Sequence, residues 1–249
     1  MHECDCNGVY MNCYEYAQSV LISKPIKKST SQEYLSVCRS LKMDQIEYPP
    51  NASQLTNLLE TVFNVNTRRK CAIAIKSIYG IKVKVPSAVL LELDLPSFEE
   101  LNEIIKGTRY EMYALLMLYA GFRLGETLIK QPIKGNAILI NRQKTIDNEL
   151  TTAKSEGPVI VPDWLLERYK EWTPTHHYNT VYLGLKRLFK RNGMDFMTPH
   201  KLRHAYATYY SMKMPPEALR RQMRHKRITT AMQYYVHVRE EDLINVMYK

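Results

Sequence analysis

The chain has 249 residues, 45% apolar and 24% charged, with only 9 glycines, which fits one large or two modest globular domains and argues against a loop-dominated fold. The longest apolar stretch, Met112 to Ala120, is about half of what spans a bilayer, and the N-terminal MHECDCNGVY lacks the basic-then-apolar layout of a signal segment. A formal net charge of +10, with +3 in residues 1–92 and +7 in the remainder, favours a polyanionic partner, nucleic acid being the commonest. A soluble basic enzyme would carry the same charge. The expected location is the cytoplasm, or the nucleoid within it, with no membrane partner.

The five cysteines Cys4, Cys6, Cys13, Cys38 and Cys71 are odd in number and lack a disulfide rhythm, so reduced thiols are expected. His2, Cys4, Cys6 and Cys13 could supply four zinc ligands, but their spacing fits no common finger. Free thiols are the preferred reading, with no metal and no cofactor.

In chain order, the first helix expected is residues 31–41, after Ser29-Thr30-Ser31, with Tyr34, Val37, Cys38 and Leu41 on one face. Residues 53–63 repeat Leu55, Leu58, Leu59, Val62 and Phe63 at helical spacing behind a Ser53 cap. A third helix runs from about Thr67 to Tyr79 and stops at Gly80. Its basic opening, with Arg68, Arg69 and Lys70, suits a helix end that meets a phosphate backbone. Residues 1–84 thus read as a helical N-terminal domain. Residues 85–96, in a stretch with two prolines, read as a linker, and residues 97–249 as the second domain.

Ser97 with Glu100 has the pattern that opens a helix over Phe98 to Ile105, and an apolar helix follows over 109–120. Three short strands are expected at Ala137–Ile140, Glu149–Ala153 and Pro158–Val161, separated by the polar turns KTIDN and KSEG, as an antiparallel sheet. Helices resume with DWLLERYKEW. Residues 179–191 then place Val181, Leu185, Leu188 and Phe189 inward, and Lys186, Arg187, Lys190 and Arg191 outward, on a face that is either solvated or turned to DNA.

Three blocks carry chemistry. Tyr119-Ala120-Gly121-Phe122-Arg123-Leu124-Gly125-Glu126-Thr127-Leu128 comes first. The second runs His200-Lys201-Leu202-Arg203-His204-Ala205-Tyr206-Ala207-Thr208. In the third, His225 is followed by Ile228-Thr229-Thr230 and, nine residues after the histidine, by Tyr234. In order and spacing they resemble the signatures of the tyrosine recombinases of the phage-integrase type: G-x-R-x-x-E-x-L, then HxLRHxxAT, then a histidine and a tyrosine.

The resemblance implies a mainly α fold with a small antiparallel sheet, in which a helical core-binding domain and a catalytic domain close a C-shaped clamp on double-stranded DNA. It implies a site-specific recombinase that cuts and rejoins DNA through a 3′-phosphotyrosine, as a tetramer, to integrate or excise a mobile element. Accessory DNA-bending or directionality proteins are possible partners. With 30 residues before the first expected helix, the chain resembles a minimal integrase without an arm-binding domain.

Position by position, Arg123 and Arg203 match the arginines that hold the scissile phosphate, and His200 matches a candidate acid/base. His225 matches a phosphate hydrogen-bond donor and Tyr234 the nucleophile. Tyrosine is a weak nucleophile near neutral pH, so it needs positioning and neighbours. Arginines supply planar charged forks for non-bridging oxygens, histidines move protons near neutral pH, and a lysine can protonate the departing 5′ oxygen.

Two positions stay open. Tyr235 is one residue away from Tyr234, and Lys144 competes with Lys154, which is preferred because the strand layout puts it in a turn. One departure stands out: Arg224 replaces the family's usual glycine before the later histidine, and is expected either to cost stability or to add a phosphate contact. A type IB topoisomerase would share the residue set, and a non-catalytic relic would share the basic surface. The compact layout argues against the first and the intact residue set against the second. A short apolar tail, Asp242 to Met247, is a candidate for packing on a neighbouring protomer.

Overall fold

A computed structural model describes residues 11–84 and 95–235. His2, Cys4 and Cys6, most of the expected linker, and the tail from Asp242 lie outside these residues. The chain divides into two compact units, Met1–Leu91 and Glu92–Lys249, each with its own core. Among the described residues, no helix is long and apolar enough to cross a membrane.

The first unit is built from α1 (Cys13–Ser23), α2 (Lys28–Ser40), α3 (Ala52–Glu60) and α4 (Val65–Tyr79). Helix α1 was not expected, yet its signal is local. Asn12 accepts from the Glu15 backbone at 2.9 Å, and the Glu15 carboxylate accepts from the Asn12 N–H at 3.0 Å, a complete capping box. The same device starts α3 at Asn51 with Gln54, not at Ser53. Helix α2 begins at Lys28, so Ser29, Thr30 and Ser31 lie inside its first turn.

Phe63 departs from the reading more sharply. Helix α3 stops at Glu60, so Phe63 falls off the helical face and is fully exposed. Helix α4 ends at Gly80, in the left-handed conformation at φ 72°. Cys13, Cys38 and Cys71 are buried in this core as free thiols. Burial, then the nearby Cys38, pushes the Cys13 thiol up to about 11, which keeps it in the protonated form that does not ligate metal. Among the described residues, no group of three histidine, cysteine or acidic side chains could hold a metal ion.

The second unit is mainly helical with a three-stranded antiparallel sheet of order β1-β2-β3. Helix α5 (Phe98–Ile105) starts where Ser97 accepts from the Glu100 N–H at 3.1 Å. Helix α6 (Glu111–Ala120) is apolar all round and almost wholly buried, which makes it the central core element. Helix α10 (Pro199–Ser211) packs on it, as do α7 (Leu124–Thr127) and α8 (Asp163–Glu171), while α9 (Tyr178–Arg191) packs against α5, α7 and α10. Helices α11 (Pro216–Gln222) and α12 (Ile228–Met232) complete the unit.

The sheet corrects the strand reading. Its members are β1 (Ile133–Lys134), β2 (Ala137–Lys144) and β3 (Leu150–Ile160). The KTIDN turn is real: the Asn148 N–H donates to the Thr145 carbonyl at 3.0 Å, and Asn148 takes φ 60°, a conformation asparagine tolerates. KSEG is not a turn. It lies within β3, whose register against β2 jumps from Gly157 opposite Ile140 to Thr152 opposite Arg142. The residues between Thr152 and Gly157 therefore bulge from the ladder, and Lys154 rides on that bulge.

Gly125 sets the seam between α7 and β2. A Cβ at this position would lie 2.4 Å from the backbone oxygen of Lys144. Gly125→Ala must push α7 off the strand, and we expect a loss of about 1–3 kcal/mol in urea unfolding. An unchanged unfolding midpoint would disprove this close approach.

Candidate active site

Arg123 is placed by the end of α6. Gly121 terminates that helix at φ 64°, where a Cβ would meet Tyr206 at 2.8 Å. The chain then turns through buried Phe122 to Arg123, the residue that caps α7. Glu126, in the first turn of α7, reaches back: its carboxylate accepts from the Arg123 backbone N–H at 2.8 Å and from Arg123 Nη1 at 2.9 Å. This local loop closure holds the arginine half-buried at the site.

Arg203 comes from the middle of α10 and is 3% exposed. Its Nη1 donates to the Gly121 carbonyl and its Nη2 to the Met223 carbonyl, so it ties the ends of α6 and α11. Burial, then the cations Arg123 and Arg224, lowers its pKa, but a guanidinium stays charged at neutral pH.

Arg224 takes φ 53°, a left-handed conformation that favours glycine. Its guanidinium pairs with Glu126, and its Nε donates to the Ser155 carbonyl on the β3 bulge at 3.2 Å. The guanidinium is thus engaged inside the protein, where the sequence reading left a choice between a stability cost and a phosphate contact. Glu126 is fully buried. Burial pushes its carboxyl up, but Arg224, Arg203, the Arg123 backbone N–H and the Arg123 charge outweigh that and hold it below the ordinary carboxylate range.

The remaining site residues gather on this frame. His200 feels the charges of His204, Arg203, Arg123 and Lys154; His225 feels Arg203, Arg123, Arg224 and His204; Tyr234 feels Arg203 and Arg123. All six residues singled out in the sequence, Arg123, Lys154, His200, Arg203, His225 and Tyr234, are therefore brought together. Lys154 is exposed, on the bulge rather than in a turn. Partial desolvation, then the surrounding cations, lowers the pKa of both His200 and His225, to about 4 for the half-buried His225. His200 is exposed at the start of α10. His225 Nδ1 is buried without a hydrogen-bond partner, the one such side-chain atom among the described residues.

The two open positions differ in placement. The Tyr234 hydroxyl lies 3.2 Å from His204 Nδ1, whereas the Tyr235 hydroxyl donates to the Met214 carbonyl at 2.6 Å. Desolvation raises the Tyr234 pKa even against Arg203 and Arg123, so its phenol is protonated at neutral pH. Lys144 ends β2 at the hairpin, paired with Leu150.

The sequence reading assigned no role to Glu126 or His204, and gave Arg224 either a stability cost or a phosphate contact. His204 had a signal, since His200 and His204 are four residues apart on one helix and share a face. The DNA-contact candidates vary. Arg68 donates from Nε and Nη2 to the Val62 carbonyl, which ties α4 to the turn after α3, and Lys70 pairs with Glu33 at 3.7 Å. Arg69 is half-buried. Lys186 and Arg187 are exposed on α9.

Glu126→Gln removes the counter-charge of two nearly water-free guanidiniums. We expect it to cost about 3–5 kcal/mol in urea unfolding, with Arg224→Met in the same chain restoring part of the loss. Additive effects of the two changes would refute the coupling.

Residues 93–242 match the family model described as Phage integrase family. No curated protein sequence matches the chain. Among solved structures, a fragment of the Tn1549 transposon integrase in complex with circular intermediate DNA is similar, with TM-score 0.68 and 17% identity over 96% of this chain and 99% of that one. A lambda integrase fragment, as a dimer bound to a COC′ core site, gives TM-score 0.67 and 14% identity over 90% and 95% of the two chains. The XerH site-specific recombinase bound to palindromic difH substrate gives TM-score 0.59 and 14% identity over 94% and 93%.

Proposed function

The chain belongs to the phage integrase family of tyrosine site-specific recombinases, and we propose that it cleaves and rejoins double-stranded DNA through a 3′-phosphotyrosine at Tyr234, to integrate or excise a mobile element. The observation that carries this reading is that the charges of Arg123 and Arg203 both act on the Tyr234 phenol, whose hydroxyl lies 3.2 Å from His204 Nδ1. Two guanidiniums beside one phenol are what an in-line attack on a phosphodiester requires: charge stabilisation for the non-bridging oxygens and a nucleophile held against them.

In this reading Arg123 and Arg203 hold the phosphate. His225 donates a hydrogen bond to the phosphate, and His200 contributes a further one. Lys154, on the exposed bulge, gives a proton to the departing 5′ oxygen. The cations on the protein supply the electrostatic role that a metal has in other phosphoryl transfers.

The first unit and the basic face of α9 would both contact the DNA backbone, with Arg69, Lys70, Lys186 and Arg187 as candidates and Arg68 in a structural role. Strand exchange between two sites needs several protomers, so a tetramer on DNA is part of the proposal, as is action in the cytoplasm or nucleoid of the host cell.

Covalent capture tests the chemistry. Wild type, Tyr234→Phe and Tyr235→Phe are incubated without metal on nicked duplexes from the region flanking the gene and on pooled random DNA, then resolved on a denaturing gel. We expect an adduct with wild type and Tyr235→Phe that is lost in Tyr234→Phe. No adduct on either DNA would sink the reading, and relaxation of supercoiled DNA without paired-site products would favour a topoisomerase.

For the α9 face, Lys186→Ala and Arg187→Ala should each reduce the slope of log affinity against log salt by about 1. A slope equal to wild type would remove these residues from the DNA contact.

A further inference from the structure

The proton of the candidate nucleophile has a definite acceptor. Among the described residues, the Tyr234 hydroxyl makes its side-chain hydrogen bond to His204 Nδ1, at 3.2 Å, with ring centroids 5.8 Å apart and planes at 48°. The other two histidines are disposed differently. His225 stacks nearly parallel to Tyr234 at 6.3 Å and 15°, a geometry that turns its ring face to the phenol. The ring of His200 stands edge-on to that of His204 at 5.1 Å and 88°.

We infer that His204 is a catalytic residue, the base that takes the Tyr234 proton during cleavage and returns it during rejoining. The inference rests on the reading of Tyr234 as nucleophile. His204 follows Arg203 on α10, so the rigid helix that fixes the phosphate-binding arginine fixes the base as well.

The groups facing it are His200, Lys201 and Arg203 from its own helix, and His225 and Tyr234 from the segment after α11. Desolvation, then Arg203 and Lys201, lowers its pKa, so the ring is neutral at neutral pH and Nδ1 can carry the lone pair facing the phenol.

The step balances. The Tyr234 Oη–H bond breaks and the proton passes to His204 Nδ1. The freed electron pair forms the Oη–P bond as the bond from phosphorus to the 5′ oxygen breaks, and that oxygen takes its proton from Lys154. In rejoining, the 5′ hydroxyl gives its proton back to the Lys154 amine as its oxygen attacks phosphorus, the Oη–P bond breaks, and His204 returns its proton to the departing phenolate. The imidazolium formed in cleavage stands beside Arg203, where it is short-lived and poised to give the proton back. His200 is then left to bind the phosphate.

The test varies the acidity of the nucleophile. Adduct formation is timed on the nicked duplex for wild type, His204→Ala and His204→Asn, each with ordinary tyrosine or a ring-fluorinated, more acidic tyrosine at position 234, and all checked for folding by circular dichroism. Tyr234→Phe is the control.

With ordinary tyrosine, both His204 variants should be slower on the order of 10²-fold. The asparagine keeps a hydrogen-bonding group at the position but cannot take a proton. With the acidic tyrosine, which ionises without help, the deficit should shrink to a few-fold. An equal deficit with both tyrosines would reduce His204 to a structural role and overturn the inference, as would a normal rate in His204→Asn. An adduct that survives Tyr234→Phe would instead overturn the reading of the nucleophile, and the base assignment with it.

Discussion

A buried carboxylate holds this site together. Glu126 has no exposed surface, and three guanidiniums, those of Arg123, Arg203 and Arg224, act on it. Alone, a carboxylate in that position would protonate or cost several kcal/mol to keep charged. With three cations it stays ionised, and the sum still leaves an excess of positive charge in a place shielded from water. Such an excess favours an anion.

The backbone makes this arrangement possible through two left-handed residues. Gly121 ends α6 and leaves its carbonyl to Arg203 Nη1; Arg224 follows α11, and the carbonyl before it goes to Arg203 Nη2. Arg203 thus meets the ends of two helices where unpaired carbonyls are expected. Glycine at 224 would reach φ 53° with less strain. Arginine there adds a side chain that couples α7 to the β3 bulge through Glu126 and the Ser155 carbonyl.

The division between rigid and exposed elements follows the chemistry. Arg203 and His204 lie on α10, packed against the core helix α6. Arg123 sits at the cap of α7, which closely approaches β2. Lys154 is on an exposed bulge that closes at Gly157, where the ladder with β2 resumes opposite Ile140. The proposed phosphate-binding and base residues thus lie on or at the ends of packed helices, and the proposed proton donor lies at the surface.

Local signals in the sequence determined most helices and the three motif blocks, because capping residues, apolar spacing and glycine stops act within a few positions. The same rules missed α1, although Asn12 and Glu15 announced it, and carried α3 too far to Phe63. They divided β3 in two, because a polar run reads as a turn whether it reverses the chain or bulges from a ladder. The motifs marked Arg123, His200, Arg203, His225 and Tyr234, and left the choices of tyrosine and lysine open. Only the tertiary structure decided that the Tyr234 hydroxyl meets His204 while Tyr235 turns to Met214, and that Arg224 pairs with a carboxylate 98 residues away. Those contacts depend on how distant helix ends and a strand bulge pack together, and pairings across so many residues leave no periodic trace in the chain.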